Sequence, residues 1–240
     1  EVLGSCVGIR LSDFHGNVGM YVVKQEYRGT GIGKQLWNEA IAHLGERNKG
    51  LSAVSALLPV YRDKAGFSQI ADWSVDLYKL NDASKLCTQF RLDSRNSAPF
   101  LLLNSQSRRI ANTIQMRELK SDVWNASNKM SVKISQDLIP ALIAYDFGLH
   151  FYDRSSIVEL TVNERDCRGR VALRGDTVLG YGCIKPNLQG AWMIAPLFAE
   201  NELVARRLLY DLVNSLSASE QKRAVVLKSP TDVFIETLLH

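Results

Sequence analysis

The chain has 240 residues, of which 46% are hydrophobic and 22% are charged, which excludes a disordered or fibrous protein and leaves enough apolar sequence for a buried core. The 29 Lys and Arg side chains exceed the 25 Asp and Glu side chains by four and are scattered, so the charge pattern argues against a nucleic-acid partner. No apolar run approaches the ~18 residues of a membrane helix, and no secretory leader is recognisable. We therefore expect a soluble, cytoplasmic protein with no membrane partner.

The first 80 residues alternate between strand and helix patterns. Strand-like segments at residues 2–11 and 18–23, separated by a turn rich in Asp, Gly and Asn, predict an antiparallel hairpin. Apolar residues at helical spacing then predict a helix from Ile32 to about Arg47. Three further elements are predicted after it: a buried strand at 51–56, a short helix at 59–65 and a strand at 74–80.

Residues 81–130 are rich in Ser, Asn, Asp and Arg, and we predict a linker there with an embedded strand or helix. Helical patterns follow within residues 137–164. The remaining predicted elements are strands at 170–173, 178–184 and 191–196, a helix from 201 to about 216, a strand at 224–227 and a last helix capped by Thr231.

The two halves of the chain repeat one another. Val2-Leu3-Gly4 recurs as Val178-Leu179-Gly180, and an offset of 172 residues places Leu36 on Leu208. The order and spacing of the predicted elements agree between the halves, so we predict two tandem lobes at residues 1–80 and 131–240. Each copy contains segments that the other lacks at one end, and we expect the chain to be cut at both ends relative to the natural protein.

A glycine-rich loop joins the second strand to the first long helix. It reads Arg28-Gly29-Thr30-Gly31-Ile32-Gly33 and is followed by Lys34. The glycines let backbone N–H groups point inward, and the helix start adds unpaired N–H groups with a partial positive charge. Together with the two cations, this combination predicts a site for phosphate or pyrophosphate. The glycine spacing fits neither the dinucleotide-binding fingerprint nor the ATP-binding loop.

The pattern [Q/R]-x-x-G-x-[G/A] between a strand and a helix resembles the acyl-CoA-binding motif of the GCN5-related N-acetyltransferase (GNAT) superfamily. The similarity runs from Gly19 to Gly33 and continues in Tyr61…Gly66-Phe67, which is similar to the family's Tyr…Gly-Phe signature. Residues 131–240 resemble a second GNAT lobe more weakly. The whole chain therefore resembles tandem GNAT proteins in which one lobe holds coenzyme A.

The resemblance implies an α/β (α+β) fold, in which each lobe has a splayed, mixed and mostly antiparallel sheet flanked by helices. It implies an N-acyltransferase that carries acetyl from acetyl-CoA to a small-molecule or peptide amine by direct attack, without a metal. The backbone of Val22 and Val23 would pair with the pantetheine arm. The pyrophosphate would be held by the loop and the helix start, at Arg28, Gly29, Thr30, Gly31, Ile32, Gly33 and Lys34.

The resemblance also implies that Tyr61 is the general acid that protonates the departing thiolate. Tyr61 lies five residues before Gly66 instead of the usual four, and Arg62 occupies the expected position, so a packing role for Tyr61 stays open. The strand before the loop offers no carboxylate as general base. The base stays open among a water relay and a few side chains, namely Asp13, His15, Glu26 and Asp153.

The second lobe is predicted to have lost the cofactor loop. At the aligned positions it carries Glu200 and Glu202 and no glycine, and two carboxylates would repel a pyrophosphate. The four cysteines show no CxxC pair and no nearby His, so we expect reduced thiols and no metal site. The alternative function is an inactive CoA-binding or interaction module.

Overall fold

The described part of the chain forms two units, each built around one sheet. The computed structural model describes residues 1–72, 74–87 and 131–230. The first unit comprises Glu1–Asp72 with Tyr152–Arg154, and the second unit comprises the remaining described residues. Most of the predicted linker and the helix predicted at Thr231 lie outside the described residues.

The first unit has the strand order β1-β2-β3. Strands β1 (Gly4–Arg10) and β2 (His15–Val23) form the predicted antiparallel hairpin. Helix α1 (Ile32–Leu44) follows, buries Ala40 and Leu44, and leads to β3 (Asn48–Leu51), which runs parallel to β2. Helix α2 (Leu58–Lys64) comes last.

Two predicted boundaries in this unit were wrong. Helix α1 ends at Leu44 and not near Arg47, because Gly45 adopts φ 59° and its N–H bonds back to the Ala42 carbonyl. The strand lies at 48–51 and not at 51–56, because the polar residues of this edge strand pair with β2 while the apolar run after it turns into a 3₁₀ helix at Ser55–Leu57.

Strands β2 and β3 separate after four paired residues. Their parallel register begins at His15 with Asn48 and stops at Val18 with Leu51. Strand β2 continues to Val23, paired there with β1 alone among the described strands. A β-bulge at Met20 and Tyr21, with Met20 at φ 52°, adds one residue to β2. The first unit therefore contains the splayed sheet that was expected.

The second unit contains a six-stranded sheet in the order β4-β9-β8-β7-β6-β5. Its strands are β4 (Val75–Leu80), β5 (Ser131–Lys133), β6 (Arg168–Arg174), β7 (Thr177–Pro186), β8 (Trp192–Ala199) and β9 (Val225–Pro230). Its helices are α3 (Ile139–His150), α4 (Ser155–Val162) and α5 (Glu202–Asn214). None of the helices in the described ranges is long and apolar enough to cross a membrane.

Strand β4 was expected to close the first lobe, yet it belongs to the second sheet. It pairs antiparallel with β9 along its whole length, from Val75 opposite Pro230 to Leu80 opposite Val225. This pairing covers an edge of β9 that would otherwise present open hydrogen-bonding groups. The first unit accordingly ends at Asp72 and not at residue 80.

The internal repeat is visible in the two sheets. Both the segment β1-β2-α1-β3 and the segment β7-β8-α5-β9 form an antiparallel hairpin with one bulge, then a helix, then a parallel strand. A Cβ added to Gly4 would lie 3.2 Å from Leu36 Cδ1, and one added to Gly180 would lie 3.2 Å from Leu208 Cδ1. The repeat therefore places equivalent leucines against equivalent glycines, at positions that the sequence comparison had paired.

The core of the second unit lies between α5 and the sheet. One face of α5 buries Leu208, Leu209, Leu212 and Val213 against β7, β8 and β9. Residues 83–87, which follow β4, add Ala83, Leu86 and Cys87 to the same core. None of the four cysteines, all of which lie in the described ranges, forms a disulfide bond.

Glu220 gives the second unit an acid-sensitive contact. The backbone N–H of Ser217 donates to Glu220 Oε2 over 2.6 Å and Arg168 Nη2 donates to Oε1 over 2.7 Å. These bonds favour the charged carboxylate and lower its pKa from 4.5 to about 2. Because the folded-state pKa is the lower one, the contact stabilises the fold above about pH 4.5, and that stability is lost as pH falls through about 2.

We therefore expect Glu220→Gln to make the free energy of unfolding less dependent on pH at acidic pH. Urea unfolding of both proteins between pH 5 and pH 2 measures this. The wild type should lose more unfolding free energy than the variant over that interval. Parallel pH profiles for the two proteins would contradict the assignment.

Candidate functional site

A groove opens in the first unit where β2 and β3 separate. It encloses about 340 Å³ between the bulged half of β2 and the segment that runs from the end of β3 into α2. Helix α1 contributes Trp37 to its wall. The lining residues are Ser5, Val18, Gly19, Met20, Tyr21, Val22, Trp37, Leu51, Ser52, Ala53, Val54, Leu57 and Tyr61.

The free half of β2 forms one side of this groove. Val22 and Val23 pair with Ser5 and Gly4 of β1, while the register with β3 has already ended at Val18. The backbone groups of β2 that point away from β1 are therefore available to an extended ligand. Val22 is 61% exposed, so the predicted pairing position for a pantetheine arm is accessible from solvent.

The loop from β2 to α1 curls at two left-handed glycines. Gly29 has φ 82° and Gly31 has φ 92°, conformations that L side chains rarely adopt. A Cβ on either glycine would meet nothing within 4 Å, so the strain comes from the backbone and the space outside it is open. The curl is tied down by Arg28 Nε, which donates to the Val23 carbonyl over 3.1 Å, and by the Thr30 hydroxyl, which donates to the Tyr27 carbonyl over 2.7 Å.

The start of α1 has no side-chain cap. Its N-cap residue is Gly31, which has no side chain to accept a hydrogen bond from the N–H groups of the first turn. Those N–H groups and the partial positive charge of the helix start are accompanied by two exposed cations, Arg28 in the loop and Lys34 in the first turn of α1. This arrangement suits an anion with several oxygens, such as a pyrophosphate.

The equivalent loop of the second unit is built differently. Strand β8 ends at Ala199 and α5 begins at Glu202, so residues 200–201 replace the longer loop at residues 24–31. Asn201 caps the helix by accepting a hydrogen bond from Val204 N over 3.1 Å. The bulge of β8 contains Pro196, which has no N–H, where the bulge of β2 contains Tyr21. This loop offers no comparable anion cradle.

Tyr61 points into the groove and packs on Trp37. Its ring centroid lies 5.8 Å from that of Trp37, which also contacts Tyr21 at 5.4 Å and Phe67 at 6.0 Å. These four aromatic residues, which we call the aromatic cluster, join β2, α1, α2 and the chain after it. The cluster brings Tyr61 together with the free half of β2.

The unusual spacing between Tyr61 and Gly66 is absorbed where α2 ends. The Phe67 N–H donates to the Tyr61 carbonyl, six residues back, over 3.1 Å, and Gly66 adopts φ 80°. In a Schellman turn the corresponding N–H bonds to the carbonyl five residues back. Here the turn contains one residue more, and Tyr61 still faces the groove. Arg62 pairs with its neighbour Asp63 at 2.6 Å and does not line the groove.

Tyr21 is a groove residue whose role the sequence did not suggest. A Cβ on Gly33 would lie 2.8 Å from Tyr21 Oη, so the absence of a side chain at Gly33 makes room for the phenol beneath the first turn of α1. Burial raises the pKa of Tyr21, and the neighbouring Cys6 and Tyr61 raise it further. The signal that could have identified this contact is an aromatic residue on a strand, followed by a glycine in the first turn of the next helix.

The remaining acid–base candidates stay without support. Asp13, His15, Glu26 and Asp153 are not among the lining residues of the groove. Among the described residues, no group of three or more His, Cys, Asp or Glu side chains could hold a metal ion.

Comparison with known proteins matches both halves of the chain to acetyltransferase families. Residues 1–67 match the Acetyltransferase (GNAT) family, and residues 143–231 match an Acetyltransferase (GNAT) domain. No curated protein matches the chain.

Solved structures show the same architecture at low sequence identity. A putative acetyltransferase from Pyrococcus horikoshii is 14% identical, with a TM-score of 0.57 over 97% of this chain and 63% of that one. A tandem GNAT protein from the clavulanic acid biosynthesis pathway is 12% identical, with a TM-score of 0.50 over 94% of this chain and 70% of that one. The chain spans about half to two thirds of the length of the first structures that it matches.

The two family matches fall on the two copies of the repeat, and each copy contains the hairpin, helix and parallel strand described above. The chain is therefore a tandem member of the GNAT acetyltransferase superfamily.

Proposed function

We propose that the protein is an acyl-CoA-dependent N-acyltransferase that transfers acetyl from acetyl-CoA to an amine, with its cofactor site in the first unit. The observation that carries this proposal is the order of features along one stretch of chain. The free half of β2 lines the groove, and residues 24–28 connect it to the glycine loop and the uncapped start of α1. The groove near Tyr61 would take the reacting end of acetyl-CoA, the free half of β2 the arm, and the loop with the helix start the pyrophosphate.

The pyrophosphate would lie at the start of α1. The first turn of α1 has N–H groups without intrahelical partners there, and Gly29 and Gly31 place no Cβ beside them. The exposed side chains of Arg28 and Lys34 can add hydrogen bonds and charge, Thr30 can add its backbone N–H, and Ile32 and Gly33 form the first turn.

The pantetheine arm would run along β2 from the loop towards Val18. Its amide groups can pair with the backbone of Val22 and Val23, as an added strand pairs with a sheet edge. The strand pair Val18–Leu51 closes the far end of the groove, so the thioester would lie near Met20, Tyr21 and Tyr61.

Tyr61 would then act as the general acid. The amine nitrogen attacks the thioester carbon, a C–N bond forms and the C–S bond breaks. The Tyr61 hydroxyl gives its proton to the departing sulfur, and the nitrogen releases one proton to water. The aromatic cluster holds the Tyr61 ring in the groove for this step.

The binding site is tested by Gly31→Glu. A carboxylate at this position faces the proposed pyrophosphate, and two unit charges about 4 Å apart repel by about 4 kcal/mol near a protein surface. We expect calorimetric titration with acetyl-CoA to show at least about 100-fold weaker binding than for the wild type.

Gly190→Glu is the matched control, because Gly190 has a similar φ of 83° and open space around it but lies in the second unit. It should bind acetyl-CoA like the wild type. Equal binding by the Gly31 variant and the wild type would contradict the proposed site.

The acid role is tested by Tyr61→Phe, which keeps the ring in the aromatic cluster and removes the hydroxyl. We expect kcat to fall by about 100-fold or more, within the range typical of general acids, while the Kd for acetyl-CoA stays unchanged. Thiol release with an accepted amine measures kcat. An unchanged kcat would assign Tyr61 to packing alone, and binding without turnover by the wild type would favour the inactive module.

A further inference from the structure

We propose that the acceptor is an apolar primary amine that enters the groove as the uncharged free base. This inference rests on the proposed acyltransferase function and names the substrate class of the same site. Two features of the first unit lead to it, namely the composition of the groove lining and the exposed apolar rim. The third argument is the free-energy cost of placing a cation in such a groove.

The lining of the groove is apolar and aromatic. Its polar side-chain groups, among the described residues that form it, are the indole N–H of Trp37 and the hydroxyls of Ser5, Ser52, Tyr21 and Tyr61. None of these groups carries a negative charge near neutral pH, and burial raises the pKa of Tyr21 further. The lining therefore offers hydrogen bonds to a neutral nitrogen but no carboxylate to pair with an ammonium group.

Large apolar side chains are exposed around the groove. Met20 is 75% exposed, Val54 66%, Val22 61% and Leu57 45%. A contiguous apolar surface beside a cavity is typical of a binding site for an apolar ligand. The arm of coenzyme A would cover the Val22 side, which leaves the opposite wall at Val54 and Leu57 for the substituent of the acceptor.

The charge of the amine decides whether a cationic or a neutral acceptor fits the groove. Moving an unpaired ammonium into an apolar groove costs several kcal/mol, whereas a neutral amine loses only a few hydrogen bonds with water. A polyamine would bring further cations to the same rim. An apolar amine loses a single charge, and that proton leaves to water before the nitrogen enters.

The reaction balances without any further reactant. The free-base nitrogen forms the C–N bond, the sulfur takes the electron pair of the C–S bond and the proton of Tyr61, and the acylated nitrogen releases one proton to water. Tyr61 is reprotonated from solvent. Because the nitrogen arrives uncharged, the groove needs no general base before the attack.

Two acceptors of the same shape and different basicity test the free-base requirement. Phenethylamine and its less basic β,β-difluoro analogue are compared with acetyl-CoA at saturation, with kcat/KM measured by thiol release from pH 6 to pH 9. We expect kcat/KM for the less basic analogue to level off within this range, at the pKa of that amine, whereas kcat/KM for phenethylamine, the stronger base, still rises at pH 9. Curves that level off at the same pH would identify an ionising group of the protein and overturn the proposal.

The apolar preference is tested with spermidine and a rim variant. We expect the wild type to favour phenethylamine over spermidine by at least about 10-fold in kcat/KM. Val54→Asp should reduce that ratio by about 10-fold or more, because a carboxylate at the rim pairs with cations. Ile70→Asp, at an exposed apolar residue of the first unit outside the groove, should leave it unchanged. A wild type that prefers spermidine would overturn the proposal.

Binding of acetyl-CoA distinguishes a failure of this inference from a failure of the proposed function. If acetyl-CoA binds and spermidine is acetylated faster than phenethylamine, the acceptor class is wrong and the proposed function stands. If acetyl-CoA does not bind the wild type, the proposed function fails and this inference fails with it.

Discussion

The first unit depends on one constraint, namely that β2 and β3 can pair over only four residues. Beyond Val18 and Leu51 the strands diverge, and the bulge at Met20 and Tyr21 twists β2 further from its neighbour. The separation leaves an open strand edge beside a groove. The chain then turns through the glycine loop, so the open edge, the loop and the uncapped start of α1 follow one another along the chain.

The second unit shows the same scaffold without the glycine loop of the proposed cofactor site. It repeats the hairpin, the bulge, the helix and the parallel strand, and it packs Leu208 against Gly180 as the first unit packs Leu36 against Gly4. The two units differ in the loop before the helix, where a short connection capped by Asn201 stands in place of the glycine curl. The fold and the proposed ligand site thus depend on separate features of the same repeat.

The features that the sequence predicted are local ones. The hairpin, the start of α1 and the glycine loop each depend on neighbouring residues, whose spacing and turn chemistry are visible in a single chain. The partner of β4 is a strand about 150 residues away, and no local pattern indicates it. The contact of Tyr21 with Gly33 and the widened turn after Tyr61 likewise depend on how elements pack.

Hydrogen–deuterium exchange of the wild-type chain with and without acetyl-CoA tests the central claim most directly, because it reports on both units in one experiment. The account predicts slower exchange for the amides of residues 20–23 and 29–34 when acetyl-CoA is present, and unchanged exchange at residues 200–204. Protection at residues 200–204 without protection at residues 29–34, or no protection in either loop, would contradict it.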